Sequence, residues 1–316
     1  LETWYSLGNR KAATNAGHRD TCGRYVVPYL GDLALDAIRP HHLDDWRDKL
    51  KAAKLSTWTI NGAFRRLRAA LNVAVKRGMI ARNPCLQVDA PPAGPRRTAV
   101  LDEPQLRRLL DALAGDRLYP LFAVAGTLGL RPSELIGLRI GTLFLDGDAP
   151  ALVIREQLQR FKGADGKQVV HRERSTKGGD ENDPNPRTIP LSAELVAILR
   201  AHLTAMKAER LKRGEGAPDP DDLLFVTERG TPINDRNLLR TLHRACKRAG
   251  VPRTSLHGLR HTAGSVMLAN GEQIVDVAAV LGHKNPNITA EIYAHSFDAG
   301  KRSAVNAASA ALLRRA

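Results

Sequence analysis

His257 and Arg260, in His257-Gly258-Leu259-Arg260-His261, put two hydrogen-bond donors one helical turn apart, and Tyr293 follows in Glu291-Ile292-Tyr293-Ala294-His295. Side chains at i and i+3 share a helix face, so the pair is expected to converge on one point. That chemistry suits a phosphate. An arginine matches the non-bridging oxygens of a phosphodiester because its planar fork binds two acceptors and stays charged at physiological pH. Arg131 in Gly129-Leu130-Arg131-Pro132-Ser133-Glu134-Leu135 supplies a second fork, and Glu134 one turn later could hold a guanidinium or His257.

Breaking the bond also requires a nucleophile and an acid for the leaving oxygen. Tyr293 is the candidate nucleophile, although a phenol with a pKa near 10 needs a base or cations to activate it. The other four tyrosines, Tyr5, Tyr25, Tyr29 and Tyr119, lie outside the motif region. Lys177, in Arg174-Ser175-Thr176-Lys177-Gly178-Gly179, is the candidate general acid, with Lys162 and Lys167 of the preceding turn as competitors. His257 could donate to a non-bridging oxygen or accept the tyrosine's proton; His283, after Gly282, would hydrogen-bond the phosphate near the nucleophile. The competing use of His257 with His261 at i,i+4 is metal ligation. No glutamate of the zincin pattern and no nearby acidic or cysteine ligand completes such a site, so neither a metal nor another cofactor is expected.

Taken in order, Arg131 with Glu134, Lys177, His257 with Arg260, His283, and Tyr293 ten residues further resemble the catalytic set of the tyrosine recombinases, the phage-integrase family. The resemblance covers nearly the whole chain. It implies a site-specific DNA recombinase that forms a 3′-phosphotyrosyl bond and a free 5′-hydroxyl without metal or ATP. It also implies a homotetramer on two synapsed duplexes, with accessory directionality or DNA-bending proteins as further partners. The family places its lysine in a hairpin ahead of the strand that here reads Arg187-Thr188-Ile189-Pro190-Leu191, and the loop from Gly178 to Pro186 is longer than the family's usual turn. Two rivals remain, one sharing the active-site chemistry and one the fold. A type IB topoisomerase would relax supercoils with the same chemistry, and a non-catalytic DNA-binding regulator would be expected to lose Arg131, Arg260 or Tyr293.

Elements able to hold these residues can be traced along the 316 residues, which are enough for two domains. A formal net charge of +15, with 48 Lys and Arg spread through both halves, points to a polyanionic partner met over an extended surface. Aromatic residues make up only 4%, too few for the stacking platforms of single-strand binders; double-stranded DNA fits better. Three widely spaced cysteines, Cys22, Cys85 and Cys246, suggest neither a disulfide framework nor a zinc site. With no signal peptide and no apolar run near 20 residues, a cytoplasmic protein with no membrane partner is expected.

The fold expected is mainly α with a small antiparallel β-sheet: a helical core DNA-binding domain (1–87), a proline-rich linker (88–98) and a mixed α+β catalytic domain (99–299). Whether an arm-binding domain precedes Leu1 stays open. In the first domain Arg39-Pro40 begins one helix and Ser56-Thr57 caps the next. Ile60, Phe64, Leu67, Leu71 and Val75 then form a buried stripe, and Gly78 ends the helix. Beside that stripe run Asn61, Arg65, Arg68, Asn72 and Lys76, with no acidic residue between Thr57 and Lys76. An ordinary solvated face mixes both signs, so this stripe is the candidate DNA contact. In the second domain Asp102 caps a helix, and Ala151–Ile154, Val169-Val170 and Arg187–Leu191 read as strands of one sheet. Residues 192–316 read as helices with a loop at 214–222. The last stretch, 300–316, is expected to form a helix; the resemblance implies that it docks on a neighbouring protomer, the alternative being its own domain.

Overall fold

A computed structural model describes residues 1, 4–5, 11–92, 98–163, 165–173, 186–283 and 285. Lys177, Tyr293 and the 300–316 tail lie outside the described residues. The chain divides into two compact units, Leu1–Arg97 with Gln159–His171, and Thr98–Leu158 with Arg172–Ala316.

The N-terminal unit contains α1 (Ala12–Tyr25), α2 (Val27–Leu30), α3 (Pro40–Ala52) and α4 (Thr57–Lys76). Pro40 opens α3, where its missing N–H costs nothing. Ser56 caps α4 by accepting from the Thr59 amide at 3.2 Å, the kind of bond worth about 1 kcal/mol to a helix. The apolar stripe of α4 buries Ile60, Phe64, Leu67 and Leu71 together with Ala63, Ala70 and Ala74. Val75 is only half-buried. Trp46 of α3 completes this core, 1% exposed, and its indole N–H donates to the Tyr25 carbonyl at 2.6 Å.

The C-terminal unit begins with α5 (Glu103–Leu113), capped by the Asp102 carboxylate on the Gln105 amide. It continues with α6 (Tyr119–Leu128), α7 (Pro132–Gly137), α8 (Ala193–Lys212), α9 (Asp235–Ala249), α10 (Leu256–Ala269) and α11 (Ile274–Leu281). α6, Tyr-Pro-Leu-Phe-Ala-Val-Ala-Gly-Thr-Leu, is apolar on every side and buries Leu121, Phe122, Val124 and Leu128. A helix of that composition must be central, and α10 packs directly on it.

The expected single sheet is in fact two. β1 (Leu143–Phe144), β2 (Ala151–Ile154) and β5 (Arg187–Pro190) form a three-stranded antiparallel sheet, with Leu152 opposite Ile189 and Ile154 opposite Arg187. β3 (Gln157–Lys162) and β4 (Gln168–Glu173) form a separate hairpin, so Val169-Val170 does not pair with Ala151–Ile154. The chain leaves β2 at Arg155-Glu156, and the Glu156 carboxylate is held by Arg139 and Arg172 at 2.6 Å each. β3, Gln-Leu-Gln-Arg-Phe-Lys, carries too few apolar residues to be read as a strand from its pattern.

Among the described residues the three cysteines are free and buried, and no helix is long and apolar enough to cross a membrane.

Candidate active site

Arg131 owes its position to two helix ends. Gly129 terminates α6 at φ 61°, a left-handed conformation that glycine adopts without strain. A Cβ there would lie 2.5 Å from the Leu281 side chain and 3.1 Å from Ala263 Cβ, so α10 and α11 close on this turn. Two residues later Arg131 is the N-cap of α7, followed by Pro132. Glu134, the third residue of α7, reaches back: its Oε2 accepts the Arg131 amide at 3.0 Å, while its Oε1 accepts Arg131 Nη1 at 2.7 Å. The Arg-x-x-Glu spacing is therefore a cap and an ion pair at once.

Glu134 is 0% exposed, so its pairing with Arg131 is not a surface ion pair. A buried carboxylate is costly unless paired and hydrogen-bonded. Here it has two guanidiniums, because Arg187 Nη2 at the start of β5 donates to Oε2 at 3.0 Å. Burial pushes the Glu134 carboxyl up, but Arg187, Arg131 and the Arg131 amide outweigh it and hold the group below its ordinary range. His257, the other partner considered for Glu134, points elsewhere: its ring lies edge-on to His261, centroids 4.6 Å apart.

Arg260 turns into the protein, 2% exposed, and its Nη1 donates to the Gly129 carbonyl at 2.8 Å. His257 is exposed. Arg260 thus enters the α6–α10 contact, and His257 packs on its i+4 neighbour.

His283 stands at the end of α11. Gly282, at φ 69°, makes the left-handed cap, with the Gly282 and His283 amides bonded back to Ala279 and Ala278. The Gly282 carbonyl accepts Arg131 Nη2 at 2.7 Å. His283 is half-buried, and burial together with the charges of Arg260, Arg131, His261 and Arg187 lowers its pKa to about 4. Its imidazole is neutral at physiological pH. Burial and Arg260 lower His261 in the same direction.

Arg131, Arg260, His283 and Glu134 are therefore brought together where α6, α7, α10 and α11 meet, and His257 adjoins them through His261. Arg187 carries no motif that would mark it as a site residue from the sequence, and His261, weighed there only as a metal ligand, enters the site as a neighbour of His257. Three guanidiniums against one carboxylate leave this place positively charged, which suits an anion. Beyond it, the Gln157 side chain bridges the Ser133 hydroxyl on α7 and the Glu173 carboxylate, both at 3.1 Å. Glu173 closes β4, four residues ahead of Lys177.

In the N-terminal unit, α4 divides the proposed DNA-contact stripe in two. Arg65, Arg68 and Lys76 are exposed, with no ion pair to a described residue. The asparagines serve the unit itself: Asn72 Oδ1 accepts from Asn83 at 2.6 Å, and Asn61 donates to the Pro91 carbonyl.

The chain matches the family model described as "Phage integrase family" over residues 99–299 and that described as "Phage integrase SAM-like domain" over residues 4–88. It is 29% identical to a tyrosine recombinase XerC-like protein of Caldanaerobacter subterraneus, over 94% of this chain and 78% of the relative. It is 25% identical to an integrase of Streptomyces ambofaciens, over 92% of this chain and 73% of the relative. The fold is similar to that of the Tn1549 transposon integrase in complex with transposon right-end DNA, with a TM-score of 0.70 and 22% identity over 96% of this chain and 95% of that one. It also resembles a lambda integrase dimer bound to a core site, with a TM-score of 0.63 and 16% identity over 92% of each chain.

Proposed function

The chain belongs to the phage integrase family, and from that premise we propose that it is a site-specific DNA recombinase whose nucleophile is Tyr293. The observation that carries the reading is the arginine-rich junction in which Arg131 and Arg187 pair with the buried Glu134 carboxylate and Arg260 donates to the neighbouring Gly129 carbonyl. In this reading the Tyr293 hydroxyl attacks a DNA phosphodiester, forming a 3′-phosphotyrosyl bond as the 5′ oxygen leaves. Arg131 and Arg260 hold the non-bridging oxygens as negative charge builds on them; donors so placed are commonly worth about 2.7 to 4 kcal/mol each. Arginine charge does here what a metal ion does in many phosphoryl-transfer sites.

His283, neutral before DNA binds, can donate one hydrogen bond to the phosphate. His257, exposed beside His261, can accept the tyrosine's proton or donate to an oxygen. Lys177 protonates the departing 5′ oxygen. The covalent bond conserves the energy of the phosphodiester, so a second 5′-hydroxyl can reverse the step on a new strand without ATP. Arg65, Arg68 and Lys76 supply sequence-independent phosphate contacts, which position a duplex without reading it. Synapsis of two duplexes by a homotetramer, helped by bending or directionality proteins, completes the proposal. The DNA-bound states named for the Tn1549 and lambda integrases support a duplex partner.

The test is strand exchange in EDTA, between two duplexes carrying the DNA from either side of the gene. Recombinant product is expected with the metals chelated. Relaxation of a supercoiled plasmid without any exchange would support a topoisomerase instead, and activity returning only with added magnesium would mean a nuclease.

A further inference from the structure

We propose that Arg187 is a positioning residue for DNA cleavage, acting through Glu134 and the Gly282–His283 turn to hold Arg131 and His283 in their working geometry. The inference rests on the recombinase reading above and adds to it a residue that the motif pattern did not contain.

The structural basis is a closed ring of contacts. Arg131 donates to Glu134 Oε1 and to the Gly282 carbonyl, both at 2.7 Å. Arg187 donates to Glu134 Oε2 at 3.0 Å. Its guanidinium also lies against Gly282, where a Cβ would stand 1.9 Å from Arg187 Nη1 and 2.8 Å from Cζ. The two arginines thus contact the same carboxylate and the same glycine. The carboxylate they share is closed to solvent, Glu134 being 0% and the Arg187 side chain 14% exposed.

Arg187 is itself anchored by backbone. Its register opposite Ile154 places it at the end of the β2–β5 pair, and strand pairing fixes side-chain direction better than a loop does. Its Nε is buried with no acceptor among the described residues, so the Glu134 bond and the Gly282 contact are what hold the side chain. Without Arg187, Glu134 would keep one cation and the freedom to follow Arg131, and the glycine turn bearing His283 would lose its cover. A displacement of about 1 Å in such a site can cost about a hundredfold in rate.

The experiment uses the full chain on a nicked suicide duplex taken from the DNA flanking its gene. Single-turnover formation of the covalent adduct, the dissociation constant for the intact duplex, and the melting temperature are measured for Arg187→Met, Arg187→Lys, Glu134→Gln and the double variant Arg187→Met/Glu134→Gln. Arg187→Met should slow adduct formation about a hundredfold while leaving the dissociation constant unchanged. Arg187→Lys, which keeps one donor for Glu134, should recover most of the rate. The double variant should be no slower than Glu134→Gln alone, because both act along one path.

Equal rates for Arg187→Met and wild type would overturn the inference, as would a rate loss matched by an equal loss of affinity. An Arg187→Lys variant that melts normally yet is as slow as Arg187→Met would make Arg187 a direct phosphate ligand rather than a positioning residue. A wild-type protein that forms no adduct would remove the recombinase reading, and this inference with it.

Discussion

Arg131, Arg187 and Arg260 in the C-terminal unit are enclosed, each donating to a named carboxylate or carbonyl, whereas Arg65, Arg68 and Lys76 on α4 stand exposed with no ion pair to a described residue. The same charge serves two purposes. Enclosing a guanidinium costs desolvation and side-chain entropy, but it leaves the donors aimed in one direction, as a developing negative charge requires. Leaving cations on a helix face costs little and aims nothing. It supplies an attraction that every duplex feels and that salt weakens.

If the enclosed arginines act through direction, removing one should hurt far more than removing an exposed cation. Arg260→Ala should lower the single-turnover cleavage rate by roughly a hundredfold to a thousandfold, with affinity for intact duplex nearly unchanged. A loss of affinity equal to the loss of rate would make Arg260 an ordinary binding residue and erase the distinction.

Glu134 sharpens the comparison from the side of stability. Glu134→Gln leaves two enclosed guanidiniums without their carboxylate and should cost about 3 kcal/mol, read from denaturant midpoints. The sign of the pH dependence follows from its depressed pKa. Its contribution is fully present above the ordinary carboxylate range, near 4.3, and disappears as pH falls through the lower folded value. The wild type should therefore lose stability relative to Glu134→Gln on acidification below about pH 4.3; parallel curves for the two proteins would contradict the buried-pair account.

Neutralising Arg65, Arg68 and Lys76 together should have the smallest effect at low salt. It should flatten the dependence of log affinity on log salt by about 0.9 for each DNA phosphate that the protein no longer neutralises, leaving the cleavage rate of bound complexes untouched. An unchanged slope would return α4 to an ordinary solvated face.

What could be read from residue types differs between these two regions as well. The α4 stripe was legible because burial follows 3.6-residue periodicity, and Ser56 marks the helix start. Its asparagines were not, since their partners Asn83 and Pro91 are remote in sequence. In the site, Arg131, Glu134, Arg260 and His283 come together as their order along the chain suggested. Arg187 escaped notice because it opens an unremarkable strand and gains its meaning only when β5 pairs with β2. At α10 the His257 ring lies edge-on to its i+4 neighbour His261, while Arg260 Nη1 donates to the Gly129 carbonyl across the contact with α6. The division of the strands into two sheets was hidden because the ion pairs at Glu156 that accompany the break involve Arg139 and Arg172, each remote from it in sequence.

In the proposed reaction, phosphodiester cleavage passes through a covalent bond to Tyr293. Wild type and Tyr293→Phe should be incubated in EDTA with the nicked suicide duplex, separated on a denaturing gel, and the adduct digested for mass spectrometry. Equal affinity for intact duplex is expected, with a slow-migrating adduct linked through Tyr293 in the wild type and none in Tyr293→Phe. An adduct of wild-type yield in Tyr293→Phe, or one linked through another residue, would contradict it.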